Sequence, residues 1–371
     1  MLSAFFLAVV IIVLVGSSLL ITNFKDIGNL VKVITLVKGQ YLWEVESTEL
    51  VDGAIKGLVE SLDDPYSVYL EPSTFKQLRE QIQGSFAGLG LLVGMEDHSL
   101  VVVQSFEGTP AAKAGLVRGD IITAIDDKNV AEMDLETAVS LMRGPVGTSV
   151  KISVYRSIED KNYEYTLIRE EINVPTVEGE MIEGSTAGYI AISQFNEKTV
   201  SELDNTVAKL SREGMKGIIL DVRNNPGGEL NAAVNVASYF VPPGPIVYID
   251  YRTSKDEVRE TNGNYIGLPL VVLVNERSAS ASEILAGAIK DAETGTLVGA
   301  KTFGKGLVQT AYPLGNGAGL KLTVAKYLTR NKNDIHEKGV MPDIEVKQPD
   351  NALKDYQLEK ALEIMAENLS Q

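Results

Sequence analysis

Residues 268–291, LPLVVLVNERSASASEILAGAIKD, join an almost wholly apolar run to an amphipathic one across a short polar joint. A strand covered on both faces needs apolar side chains on both, so the first run reads as a buried strand that feeds a helix. The same grammar precedes it. GYIAIS (188–193) leads to a helix with Val200, Leu203, Val207 and Leu210 on one face, and GIILDVR (217–223) leads to the helix ELNAAVNVASYF (229–240). Strands alternating with helices from about Val174 imply βα units around a parallel or mixed sheet.

Upstream the pattern changes. Residues 84–169 hold short β-rich runs (LLVGM, SLVVVQSF, DIITAIDD and SVKISVYR) and two short helices, one opened by Thr109-Pro110 and stopped by Gly115, the other with Leu135, Ala138, Val139 and Met142 on one face. Leu30 to about Gln83 is helical in pattern, with Thr48 as a cap and a break at Asp63-Asp64-Pro65. The acidic tail offers Leu358, Ala361, Leu362 and Met365 as a packing face. The expected divisions are 1–22, 23–83, 84–169, 170–348 and 349–371. Leu2–Thr22 carries no charged side chain, which suits a single membrane-crossing helix or a secretory signal with Gly16, Ser17 and Ser18 near its cleavage point. Lys25, Lys32 and Lys38 follow it, and a plain positive-inside count would leave the body of the chain in the cytoplasm.

At about 150 residues per domain, 371 residues make two or three domains. Lysine and arginine total 34 against 50 acidic residues, a net charge of -16 that argues against nucleic acid as a partner. The absence of cysteine excludes thiolate nucleophiles and cysteine-ligated metals, and two histidines, His98 and His336, exclude a histidine-rich zinc site. No metal or nucleotide cofactor is required by the chemistry below.

Two strand-to-helix joints carry that chemistry. In Asn224-Asn225-Pro226-Gly227-Gly228, adjacent glycines let backbone N–H groups converge at a helix start, although an ordinary turn uses the same residues. In Ser278-Ala279-Ser280-Ala281-Ser282-Glu283, hydroxyls stand at a helix N-terminus, where the dipole favours developing negative charge. Ser280-x-x-Glu283 equally matches a capping box. Some 25 residues on, Lys305 lies between two glycines and close to Phe303 and Leu307, so its ammonium can be desolvated and its pKa lowered into the range of a base. Serine with lysine substitutes for serine with histidine elsewhere. Gly299-x4-Gly304-Lys305 nearly spells a phosphate-binding loop, but Gly306 stands where a hydroxyl must reach magnesium. Gly88-Leu89-Gly90 hints at a dinucleotide fingerprint, yet it precedes a strand and not a long helix.

The strings LDVRNNPGG, NERSASASEILAGAIKD and GAKTFGKGLVQ, in this order and spacing, resemble the C-terminal processing peptidases, or tail-specific serine peptidases. The likeness extends to LVDGAIKGLVESLDDPYSVYLEP, GSFAGLGLLV, PAAKAGLVRGDIITAID and LKLTVAKYLTRNKNDIHEKGVMPDIEV. It implies a multidomain α/β protein: a ClpP/crotonase-like protease core, an inserted PDZ domain and a helical N-terminal region. It further implies Ser280 as nucleophile, Lys305 as general base and Gln309 as support for the lysine, with oxyanion donors from Ala281 and from Gly227 or Gly228. An extended strand separates residues 305 and 309 by about 13 Å, so direct contact between them needs both side chains to lean or a bend at Gly306. Gly88, Leu89, Gly90 and Leu91 would form the loop that takes the carboxylate of a substrate's free C-terminus. Arg143 matches an arginine able to couple tail binding to activity, and Asp291 an acidic position. Where relatives carry Pro and Gly after the final threonine, this chain has Arg330-Asn331. The implied partners are protein or peptide substrates, the membrane through the N-terminal segment, and further copies of the chain. The implied site of action is outside the cytoplasmic membrane, with secretion if the leader is cleaved. A peptide-binding scaffold without catalysis and a crotonase-type acyl-CoA enzyme are the alternatives.

Overall fold

The computed structural model describes residues 27–96, 99–131, 133–349 and 352–370. The uncharged leader expected to cross or leave the membrane lies outside them, as does His98. Among the described residues no helix is long and apolar enough to cross a membrane. The chain falls into two compact units, one ending at Glu71 and including Ala311–Thr323, the other made of Pro72–Thr310 and everything from Val324.

In the first unit, helix α1 (27–40) is followed by α2 (Ser47–Glu60) and the short strand β1 (Val68–Leu70). The helical reading therefore misses β1, which pairs antiparallel with residues 319–321. The cap also differs: α2 starts behind Glu46, which makes no side-chain cap, and not at Thr48. The break is at the expected place, with Asp63 at φ 53° and the Asp64 carboxylate accepting from the Tyr66 N–H and Ser67 hydroxyl.

The second unit begins with α3 (Pro72–Gln83) and a β-rich module: β2 (Ser85–Gly88), β3 (Leu91–Glu96), β4 (Ser99–Ser105), α4 (Pro110–Ala114), β5 (Ile121–Ile125), β6 (Lys128–Asn129), α5 (Leu135–Met142), β7 (Ser149–Arg156), β8 (Lys161–Ile168) and β9 (Glu170–Asn173). Strands β3-β4-β5-β7-β8 form one antiparallel sheet, and β2 pairs with β9 at the module's root. Thr109 and a left-handed Gly115 bound α4 as expected. On α5, Ala138 and Met142 are buried, while Leu135, expected on the same face, is exposed at the first position of the helix.

The remainder runs β10 (Val177–Met181), β11 (Ala187–Ile192), α6 (Thr199–Arg212), β12 (Gly217–Asp221), α7 (Leu230–Ala237), β13 (Pro245–Tyr251), β14 (Glu257–Glu260), β15 (Leu270–Val274), α8 (Ala281–Asp291), β16 (Thr296–Gly299), β17 (Leu307–Pro313), β18 (Gly319–Leu328), β19 (Ile344–Glu345) and α9 (Tyr356–Ser370). The main sheet has the order β10-β11-β12-β15-β16-β19, parallel except for β10. Every residue of β12 and β15 is buried. Leu203, Leu220, Val272 and Leu285 pack within the core formed with α6, α7 and α8, and Ile219, Val271 and Leu273 pack against Ala361 and Met365 of α9 on the other face. Both carbonyl ends that feed α7 and α8 thus open at one edge of the sheet, where parallel α/β folds place their sites.

Candidate active site

Asn225, fully buried, organises the first joint. Its Nδ2 donates to the Ile192 carbonyl (2.8 Å), its Oδ1 accepts from the Gly227 N–H (2.9 Å), and its own carbonyl accepts from the Ala279 N–H (3.0 Å) and the Ser282 hydroxyl (3.0 Å). One side chain and one peptide oxygen therefore lock the glycine turn to the serine segment. Gly227 and Gly228 both have left-handed φ, 101° and 141°. A β-carbon on Gly228 would lie 1.9 Å from the Phe195 carbonyl oxygen, so only glycine fits there. The Gly227 N–H is occupied by Asn225. Among the described residues the Gly228 and Ala281 N–H groups donate to no protein acceptor.

The three serines of the second joint differ in kind. Ser278 is buried, donates to the Val222 carbonyl (2.7 Å) and accepts from the Asn275 N–H. Ser282 is buried and spends its hydroxyl on Asn225. Ser280 alone keeps partial exposure, immediately before α8, with φ 55° and ψ -113°. A non-glycine residue in that region costs about 1–3 kcal/mol and persists only where its surroundings hold it.

Two buried groups hold it. The carboxylate of Glu283, in the first turn of α8, accepts from the Ser280 N–H (2.9 Å), the Thr302 hydroxyl (2.6 Å), the Gly304 N–H (2.7 Å) and the Lys305 N–H (2.8 Å). The Tyr327 hydroxyl lies 3.0 Å from the Ser280 carbonyl oxygen and donates to that of Lys305. One of these contacts, from the Ser280 N–H to Glu283, is legible in Ser280-x-x-Glu283 as half of a capping box. The other donors come from some 20 residues away, and nothing in the local sequence announces them.

Lys305 and Gln309 are both partly buried, the lysine in an irregular segment and the glutamine on β17. No helix follows Gly304-Lys305, as a phosphate-binding loop requires; strand β17 does. Phe303, expected to help dry the lysine, is 55% exposed and forms no such wall. His336, distant in sequence from both joints, has its backbone beside the lysine segment: a β-carbon on Gly306 would come 2.8 Å from its backbone nitrogen, and its Nδ1 is buried without a partner. Asp291 accepts from the Thr329 hydroxyl and the Asn331 N–H and is 3.4 Å from Asn333 Nδ2. It ties together the turn at residues 329–333.

In the β-rich module, Gly90 (φ 77°) packs so tightly on Thr109 that a β-carbon would lie 2.2 Å from that residue's Cβ. The Leu89 and Gly90 N–H groups donate to no protein acceptor among the described residues. They face a groove of about 300 Å³ lined by Leu89, Leu91, Phe106, Val139 and Met142. Arg143 ends that groove, ion-paired to Glu80 of α3 (3.1 Å) with its guanidinium over the Phe86 ring.

A cleft of about 580 Å³ borders both joints, lined by Asp221, Arg223, Asn224, Asn275 and Arg277, but takes in neither Ser280 nor Lys305. Beside it Arg223 is gripped by Asp221 (2.6 Å) and by Asp355 (2.9 Å), the residue just before α9. Burial alone would lower the basicity of this guanidinium, and the two carboxylates more than reverse that.

A strained serine, unengaged N–H groups at two helix starts and a lysine segment held to that serine through Glu283 are parts that a serine-type peptidase would use. Residues 186–346 match peptidase family S41, residues 101–156 match the PDZ domain, and residues 17–74 match the N-terminal domain of the activating protease CtpB. The carboxy-terminal processing protease CtpB of Bacillus subtilis (strain 168) is 39% identical over 88% of this chain and 69% of its own length, and CtpA of the same strain 38% over 90% and 72%. The carboxyl-terminal-processing protease of Synechocystis sp. is 40% identical over 80% of this chain and 71% of its own. Among solved structures, the photosystem II D1 C-terminal processing protease superposes with a TM-score of 0.51 at 33% identity, over 84% of this chain and 85% of its own. The chain belongs to the carboxy-terminal processing proteases of peptidase family S41.

Proposed function

We propose that Ser280 is the nucleophile and Lys305 the general base of this peptidase, and that the PDZ domain holds the free C-terminus of a protein substrate. One observation carries the reading: Ser280, alone of its three serines, is left partly exposed at the start of α8, with Gly227 packed against it. The neutral amine of Lys305 takes the hydroxyl proton as Oγ attacks a peptide carbonyl. The N–H groups of Gly228 and Ala281 receive the oxyanion, because the Gly227 N–H already serves Asn225. The lysine ammonium then protonates the leaving amine, and water, deprotonated by the same lysine, releases the acyl group. Gln309 supports the lysine. The Leu89 and Gly90 N–H groups take the substrate carboxylate between Gly88 and Leu91, its last apolar side chain fills the adjoining groove, and Arg143 answers to that occupancy.

A fluorophosphonate probe tests the nucleophile. Labelling lost in Ser280→Ala and kept in Ser278→Ala and Ser282→Ala is expected; labelling that survives Ser280→Ala defeats the assignment and favours a peptide-binding scaffold. The proximity of His336 gives a second reading, with imidazole as base. Lys305→Ala should abolish cleavage and His336→Gln preserve it, the reverse pattern transferring the role. Digestion of an unfolded protein with and without its apolar C-terminal residues tests the PDZ role. The leader is read as anchor or signal, with the catalytic part outside the membrane, and fractionation of cells with externally added protease tests both. The exposed Leu42, Trp43 and Leu58 support self-association, which light scattering reads directly.

A further inference from the structure

We infer that Tyr327 is a positioning residue of the peptidase: its hydroxyl ties the backbone of the Ser280 segment to that of the Lys305 segment. The inference rests on the assignment of those two residues as nucleophile and base. Tyr327 is 1% exposed, on β18, with its backbone N–H donating to the Gly306 carbonyl (3.0 Å). Its hydroxyl lies within hydrogen-bond reach of two peptide oxygens, that of Lys305 and that of Ser280. A phenol carries one proton, so the two carbonyls share it, and each must stay where it is for both contacts to last.

This tether complements Glu283. Glu283 accepts from the N–H of residues 280 and 305, while Tyr327 serves their C=O groups. The strained peptide of Ser280 is thereby gripped on both sides, and the lysine backbone is referred to the same two groups. Burial, aided by the nearby Glu283 charge, keeps the phenol protonated far above its ordinary range, so the donor persists at any working pH. The hydroxyl's contacts are with main-chain oxygens. Its effect on the reaction passes through the main chain.

The test compares Tyr327→Phe, which keeps the buried ring, with the wild-type enzyme. On a tail-bearing peptide, kcat should fall about 10- to 100-fold with KM within twofold. The acid limb of the rate profile should move to higher pH, because a loosened lysine finds water and holds its proton more tightly. Hydrogen exchange should quicken in 278–283 and 302–307 and not in α6. Unaltered kcat and exchange, or a loss that follows the folded fraction at every pH, overturns the inference. Ser280→Ala separates the two possible failures. If it still cleaves, the nucleophile assignment falls and the inference with it; if it is dead beside a fully active Tyr327→Phe, the tether alone is wrong.

Discussion

Gly227 packs against Ser280 with no room for a side chain: a β-carbon at residue 227 would lie 2.8 Å from the Ser280 Cβ, 2.7 Å from the Ala279 carbonyl oxygen and 2.9 Å from the Ala281 nitrogen. Its φ of 101° is also unfavourable for any other residue. Gly227→Ala should displace both the nucleophile and one proposed oxyanion donor. We predict a loss of about 10²-fold or more in kcat, of the order found when an oxyanion donor is removed. Steady-state kinetics on a tail-bearing peptide, with thermal melting as control, check this.

Glu283→Gln is nearly isosteric, yet three of the four groups around it are backbone N–H donors that cannot accept, and each carboxylate oxygen meets at least one of them. In either orientation the amide NH₂ must then oppose a backbone N–H. Leaving buried groups unsatisfied costs about 1–3 kcal/mol each. We expect a lower melting temperature together with a loss of kcat, and restoration of neither by raising the substrate concentration.

Gly90→Val should act on recognition alone. The new side chain must enter space held by Thr109, deforming the loop whose N–H groups face the groove. KM for substrates with a free apolar C-terminus should rise at least about tenfold, the cost of losing charge-assisted bonds to a carboxylate. Fluorophosphonate labelling of Ser280 should be unchanged, and parallel loss of both would contradict the prediction.

Acid should loosen α9. Partial burial pushes the Asp355 carboxyl up, but hydrogen bonds from Arg223 outweigh it and hold the pKa below the ordinary carboxylate range. A carboxyl depressed in the folded state contributes stability above its unfolded pKa, and that contribution disappears as pH falls through the folded value. Asp355→Asn should therefore lower the melting temperature at pH 7 and flatten its decline below about pH 4. A decline as steep as wild type would remove Asp355 from the acid response.

The joints that matter were legible because their signals are local. Val271 to Val274 must be apolar on both faces to lie inside the sheet, and Gly227-Gly228 and Ser280 stand where such strands end. Strand β8 was missed because its alternation of Tyr163, Tyr165 and Leu167 with polar residues begins in a charged turn. The expectation for Phe303 failed because residues 301–306 form no regular element, so spacing along the chain does not decide which side chains share a side. Tyr327 shows nothing in its own segment, since its partners are set 22 and 47 residues away by the packing of β18. The proximity of His336 to Gly306 is tertiary in the same way.

Arg223 immediately precedes the glycine turn, and Asp355, which grips it, comes 132 residues later. During synthesis the earlier partner leaves the ribosome long before the later one exists. A chain that stops short of residue 355 thus lacks that clasp at the root of the glycine turn, and this joint is completed only after residue 355 has been made.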